Sequence, residues 1–242
     1  MKITFVGTSH GVPEKGRFCS CYMIETGGKI YMVDGGAPAA EAMINRGLDI
    51  NDFRAMFTTH VHGDHTNGML NLVSLMNWYY KKSSGEFYFT QQPQIDATVA
   101  WLKATGIEEY DYERVPLKLA HEGIVFEDEN IKVEYIPTKH MEKSYSVLIT
   151  AGEKRVLFGG DFSWMLREND VPEVIKEELD LFICEMAHFT TKEIAPYFET
   201  CKAKKVAVSH IGLICPMEEI EGLKGKYPFE VLIPNDGDFV EI

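Results

Sequence analysis

Two hydrophobic rhythms alternate along the chain. Short period-two runs bounded by glycine mark strands, and longer runs with helical spacing fall between them. Residues 2–6 read as a strand entering the turn Gly7-Thr8-Ser9-His10-Gly11. Residues 20–26 and 29–34 read as a hairpin around Gly27-Gly28, with Tyr22/Ile24 and Ile30/Met32 alternating against polar neighbours. Pro38 opens a helix through Arg46 that Gly47 stops. Ala55-Met56-Phe57 reads as a buried strand, and the uncharged segment Thr66 to Tyr80 as a packed helix. Glu86 to Thr90 is a further strand, Gln92 to Thr105 a helix ending at Gly106, and polar residues 107–114 a solvated connection.

The second half repeats this style. Strands are expected at about 123–127 and 130–136, then a hairpin of 145–149 with 155–158 turning at Gly152. A helix is expected over 171–178, a strand over 181–184, a helix from Thr190 to Ala203, and a strand at 206–208. The tail holds a short helix after Pro216 and strands near 229–233 and 238–242. No linker, low-complexity tract or short-period repeat interrupts the pattern. It predicts a single domain over residues 1–242, with two sheets facing each other and helices outside.

Composition narrows the partners. The 242 residues are 45% hydrophobic, enough for a sizeable core, and the formal charge is −13. Such a surface repels polyanions and has no basic run to offset that, so a small anionic substrate is expected rather than a long nucleic acid. Five cysteines, an odd count, argue against a disulfide framework. Cys19-x-Cys21 has metal-binding chemistry but no second nearby pair, and reads as strand residues. The segment Met1 to Gly7 lacks signal-peptide features, and Thr66 to Tyr80 is too short and polar-ended to span a bilayer. A soluble cytoplasmic protein without membrane attachment is expected.

One stretch carries concentrated chemistry. His60-Val61-His62-Gly63-Asp64-His65 places four metal-capable side chains within six residues, directly after a predicted strand. His60 and His62 can point one way while Asp64 and His65 turn to a second position. Two metals in hydrolytic sites stand about 3.5–4 Å apart, which this loop suits. Imidazole and carboxylate donors favour zinc, manganese or iron over calcium or magnesium. His140, Asp161 and His210 each lie at or just after the end of another predicted strand, where a rigid sheet presents chemistry. Together they make a full donor set for two divalent ions. His60, His62 and His140 serve one, Asp64, His65 and His210 the other, and Asp161 both. His10 and His121 read as ordinary loop residues.

The order His60-x-His62-x-Asp64-His65, His140, Gly160-Asp161 and His210 resembles the metallo-β-lactamase superfamily, from Gly7 to Asp238. That resemblance implies an α/β four-layer αββα sandwich of two mixed sheets, two metal ions, most commonly zinc, and hydrolysis by a metal-bridging hydroxide. Glu185 and His188-Phe189-Thr190 before His210, Gly7-Thr8-Ser9-x-Gly11-x-Pro13 and Asn235-Asp236-Gly237-Asp238 are similar to the ribonuclease Z and phosphodiesterase branch. There the matching His protonates the leaving oxygen, so the implied catalytic set is Asp64, His188 and Glu185. Asp34 is implied to orient a metal-binding His; capping its turn is the other reading. Relatives often dimerise, so a homodimer is a candidate assembly. The branch's basic Gly/Pro-rich arm that grips transfer RNA is absent here, and Cys184 stands where a His is usual. The expected activity is hydrolysis of a small phosphodiester. The alternatives are a lactone or thioester hydrolase, or a transfer RNA 3′-processing nuclease without the arm.

Overall fold

The computed structural model describes residues 1–242. The first sheet contains β1 (Lys2–Gly7), β2 (Cys21–Thr26), β3 (Lys29–Val33), β4 (Phe53–Phe57), β5 (Glu86–Phe89) and β6 (Leu117–Leu119). The second contains β7 (Gly123–Glu127), β8 (Lys132–Pro137), β9 (Tyr145–Ala151), β10 (Lys154–Phe158), β11 (Leu179–Met186), β12 (Ala203–Ile211) and β13 (Glu230–Leu232). The last strand, β14 (Phe239–Glu241), crosses back to pair with β1. Each sheet has seven strands, ordered β14-β1-β2-β3-β4-β5-β6 and β13-β12-β11-β10-β9-β8-β7. Both are mixed, antiparallel at their hairpins and parallel from β3 to β6 and from β10 to β13.

Alternation along the strands builds the layers. Ile3, Phe5, Ala55, Phe57, Val156, Phe158, Leu181 and Ile183 point between the sheets. Their neighbours Val6, Phe53 and Met56 face outward onto α1 (Ala39–Ile44), α3 (Met69–Trp78) and α4 (Gln92–Ala104). Leu157, Phe182 and Cys184 face α5 (Thr191–Phe198) and α6 (Met217–Glu221) on the other side. Sheets buried on both faces read as near-continuous apolar runs, and β11 is buried at every position. The result is a four-layer αββα sandwich. No helix is long and apolar enough to cross a membrane.

Several expected boundaries move. The segment from Thr66 to Tyr80 is not one helix. A short α2 (Gly63–Thr66) ends before Gly68, whose amide turns to Gly35 O at 2.7 Å. A Cβ at Gly68 would stand 1.9 Å from Ala37 O, so only glycine lets the chain pass there. The helix expected over 171–178 is a single 3₁₀ turn, Glu173–Lys176, started by Pro172 and cut short where β11 begins. The helix expected to reach Ala203 stops at Phe198, because Lys202 N bonds to Ile175 O at 2.8 Å and Ala203 already pairs with β11. The edge strand β6 lies in a segment with only Leu117 and Leu119 to announce it.

The strand ends matter most. Asp34 follows β3, His60 follows β4, His140 follows β8, Asp161 follows β10, and Glu185 and His210 lie near the ends of β11 and β12. All open onto one edge, at the carboxyl ends of their strands, the usual ligand position in sheets with parallel pairing. Gly36 packs under this edge, where a Cβ would approach Asp64 O to 1.8 Å. Replacing Gly36 with Ala must therefore push the metal-type loop away. Urea denaturation is expected to show a loss of about 1–3 kcal/mol or more. Unchanged stability would mean that the close approach does not constrain the loop.

Candidate metal centre

The structure gathers the donor atoms of His60, His62, His140 and Asp161 within 4.8 Å of one another. A second group holds Asp64, His65 and His210, and a third Asp161, His188 and His210. Asp161 faces both sides. Its Oδ2 lies 3.7 Å from the Nε2 atoms of His60 and His140 and 3.5 Å from that of His210. Its Oδ1 lies 3.4 Å from His65 Nε2. Asp64 Oδ2 is 3.5 Å from His65 Nε2 and 3.9 Å from His210 Nε2. Cys19 and Cys21 are buried free thiols outside these groups. His121 lies exposed between β6 and β7.

A second layer of groups sets the rings. Asp34 Oδ2 accepts from His65 Nδ1 at 2.7 Å, and Asp34 Oδ1 accepts from the Thr59 amide at 2.8 Å. Thr59 Oγ1 donates to the same carboxylate and lies 3.1 Å from His60 Nδ1, which must therefore donate to it. His140 Nδ1 donates to Phe162 O at 3.2 Å. Ser20 Oγ shares a 2.7 Å hydrogen bond with His210 Nδ1, reaching across from the other sheet. These contacts turn the Nε2 atoms of His60, His65 and His140 inward. Ser20 and Thr59 carry no motif and were not among the expected residues, whereas Asp34 was.

The backbone is strained at the same place. Asp34 and His210 are left-handed, with φ of 58° and 49°. Non-glycine residues hold such angles only where the surroundings over-determine them. A bulge between β11 and β12 accompanies His210.

Glu185 is buried and fully engaged. Oε1 accepts from Phe162 N at 2.8 Å, and Oε2 from Ala187 N and His188 N at 2.9 and 3.0 Å. Both oxygens stand 3.0 Å from His188 Nδ1. Thr190 then caps α5 in a reciprocal box with Glu193, fixing the chain just after His188.

The charges follow. Burial works against the Asp161 carboxylate, but His210, His65 and His60 outweigh it and hold it well below the ordinary carboxylate range. Burial would lower His65 too, yet Asp161 and Asp34 raise it well above normal. Burial keeps His60, His140 and His210 low and so neutral. For His188, burial is overcome by the hydrogen bond and charge of Glu185, and the ring rises to about 9.

Do these residues fit metal ions? His62 Nδ1 faces His60 Nε2 at 3.0 Å and His140 Nε2 at 3.2 Å. One proton on His62 Nδ1 can bridge these contacts, or a metal ion can stand among the three nitrogens in its place. His65 Nε2 and Asp161 Oδ1 are buried without any hydrogen-bond partner, although such groups are rarely left unpaired. Bare imidazole nitrogens and ionised carboxylates are what divalent transition metals take. The cluster can bind metal.

A family model described as "Anti-Pycsar protein Apyc1" matches residues 1–213. The chain belongs to that family. Ribonuclease Z from Picosynechococcus sp. is 28% identical to this Apyc1-family chain over 160 residues, covering 64% of the chain and 48% of that enzyme. The chain thus aligns with about half the length of that relative. Human tRNase Z, short form, superposes with a TM-score of 0.75 at 18% identity, covering 100% of this chain and 99% of its own. The metallo-β-lactamase fold protein YhfI from Bacillus subtilis gives 0.76 at 17% identity, with 99% and 98% covered. The Apyc1-family chain therefore has the metallo-β-lactamase fold and is similar in sequence to ribonuclease Z over the 160 matched residues.

Orienting carboxylates of the Asp34 kind typically contribute 10- to 100-fold, as an order of magnitude, to metal affinity. Competition titration with a chromogenic chelator is expected to show that loss in Asp34→Asn, with secondary structure intact. Wild-type affinity in that variant would mean Asp34 merely caps its turn.

Proposed function

We propose that this protein is a dinuclear metal-dependent phosphodiesterase acting on a small or short phosphodiester, with residues 1–242 serving as one domain. His60, His62 and His140 would hold one ion, Asp64, His65 and His210 the other, with Asp161 between them. Zinc suits these donors best, and manganese or iron is compatible. When bound, such a pair lowers the pKa of a water to about 7 and polarises a phosphoryl oxygen.

The chain's own residues supply the rest. Asp64 is less buried than Asp161 and stands at the opening, where it can take the proton of the attacking water. As the water oxygen bonds to phosphorus, the ester P–O bond breaks and the departing oxygen needs a proton. His188 is placed to give it. Its Nδ1 proton is held by Glu185, its other ring nitrogen is free to donate, and with a pKa of about 9 it is charged at neutral pH. The Glu185–His188 pair beside Asp161 is the single observation that carries this reading. The net charge of −13 favours a small anionic substrate drawn to local positive charge over a long polyanion. The name of the ribonuclease Z relatives keeps a second reading open, cleavage of a transfer RNA precursor.

Metal-loaded protein is to be offered linear diesters, a lactone, nitrocefin and a transfer RNA precursor. Diester cleavage is expected. His188→Ala should lose about 10²- to 10⁴-fold on an alkyl leaving group and far less on p-nitrophenolate, which departs without a proton. Equal losses on both would remove His188 from the acid role. Turnover of the lactone alone would defeat the phosphodiesterase reading, and turnover of the precursor alone would favour the second.

A further inference from the structure

Trp164 belongs to no motif, yet it stands beside His188. The two rings are 6.3 Å apart, nearly perpendicular, and the indole is 51% exposed. Its exposed face lies beside the charged cluster, where a bound group can cover it.

The turn beneath it is built rigidly. Buried Asp170 accepts from Ser163 N at 2.8 Å, Ser163 Oγ at 3.0 Å and Lys139 N at 3.0 Å. Met165 N donates to His188 O at 2.8 Å, tying the turn to the candidate acid itself. Leu166 anchors the turn in the apolar layer under α5. Met165, Leu166 and Asn169 are all left-handed, with φ of 58°, 49° and 50°. Three non-glycine residues in that region within five positions persist only because their surroundings fix them, and such strain collects at functional sites. The bracing runs through the backbone, Ser163 and Asp170. It does not use the indole, which it simply holds in place.

We propose that Trp164 is a specificity-determining residue: its ring is the face on which a flat ring in the departing group of the substrate packs while His188 protonates the departing oxygen. This rests on the phosphodiesterase reading above. The side is set by the neighbour. A ring touching the acid stands next to the group that receives the acid's proton. The preferred substrates are then phosphodiesters whose departing alcohol or phenol carries an aromatic or heteroaromatic ring.

The test compares methyl phenyl phosphate with methyl trifluoroethyl phosphate. Each variant's kcat/KM is divided by the wild-type value on the same substrate, so leaving-group acidity cancels. Trp164→Ala is expected to lose about 5- to 100-fold on the phenyl ester, the range seen when a stacking ring is removed. It should stay within about twofold on the trifluoroethyl ester, as for an ordinary surface change. Trp164→Phe should recover most of the loss. Calorimetry with phenyl phosphate and methyl phosphate gives a readout without turnover: only phenyl phosphate should bind more weakly to Trp164→Ala. Equal losses on both esters, or unchanged phenyl phosphate binding, would overturn the role of Trp164 and leave the phosphodiesterase reading standing. Wild-type protein that cleaves neither ester would remove both.

Discussion

Five imidazoles and two carboxylates crowd against one another at one sheet edge, with more buried polar atoms than protons to pair them. His62 Nδ1 stands 3.0 and 3.2 Å from two other inward nitrogens with at most one proton to share, and His65 Nε2 and Asp161 Oδ1 have no hydrogen-bond partner. That conflict is the constraint around which this protein is arranged. Asp34, Thr59, Ser20 and the Phe162 carbonyl hold four of the five rings, all but His62, by their outer nitrogens, so those rings do not rotate away to relieve it. Left-handed backbone at Asp34 and His210 shows that the surrounding packing tolerates strain to keep them there.

The two sheets share the task. The first brings His60, His62, Asp64 and His65 on a loop whose shape depends on Gly36 and Gly68. The second brings His140, Asp161, Glu185 and His210 at the ends of β8, β10, β11 and β12, and His188 on the loop after β11. The late Asn235-Asp236-Gly237-Asp238 stretch serves this arrangement at a distance. Asp236 accepts from the Thr8 amide at 2.9 Å and its hydroxyl at 2.7 Å. It thereby ties the returning C-terminal segment to the first glycine loop, whose Gly11 packs on the Asp64 carboxylate.

Much of this was legible in the residues because some signals are local. His-x-His-x-Asp-His after an apolar run needs no tertiary knowledge, and alternation located the hairpins of both halves. The placement of His140, Asp161 and His210 at strand ends was legible once those strands were. Other parts are decided by partners far away in the chain. Ser20 and Thr59 are ordinary hydroxyls until the fold delivers His210 and His60. The 199–202 segment has residues a helix would accept, but Ile175 O captures Lys202 and ends it. Leu117-Lys118-Leu119 becomes a strand only because β5 offers it an edge. Trp164 carries no sequence signal, since the left-handed turn that displays it leaves no compositional trace.

The Ser20–His210 hydrogen bond spans the sandwich, as does the reach of Asp161 in one sheet toward His60 and His65 in the other. An ion gripped there would act as a rivet between two halves of the molecule. Folding and ion occupancy then become one linked equilibrium, in which cohesion grows with the logarithm of free ion concentration. The supply of metal in the protein's surroundings would set how long the sheets stay together, and so the lifetime of the protein as well as its catalysis.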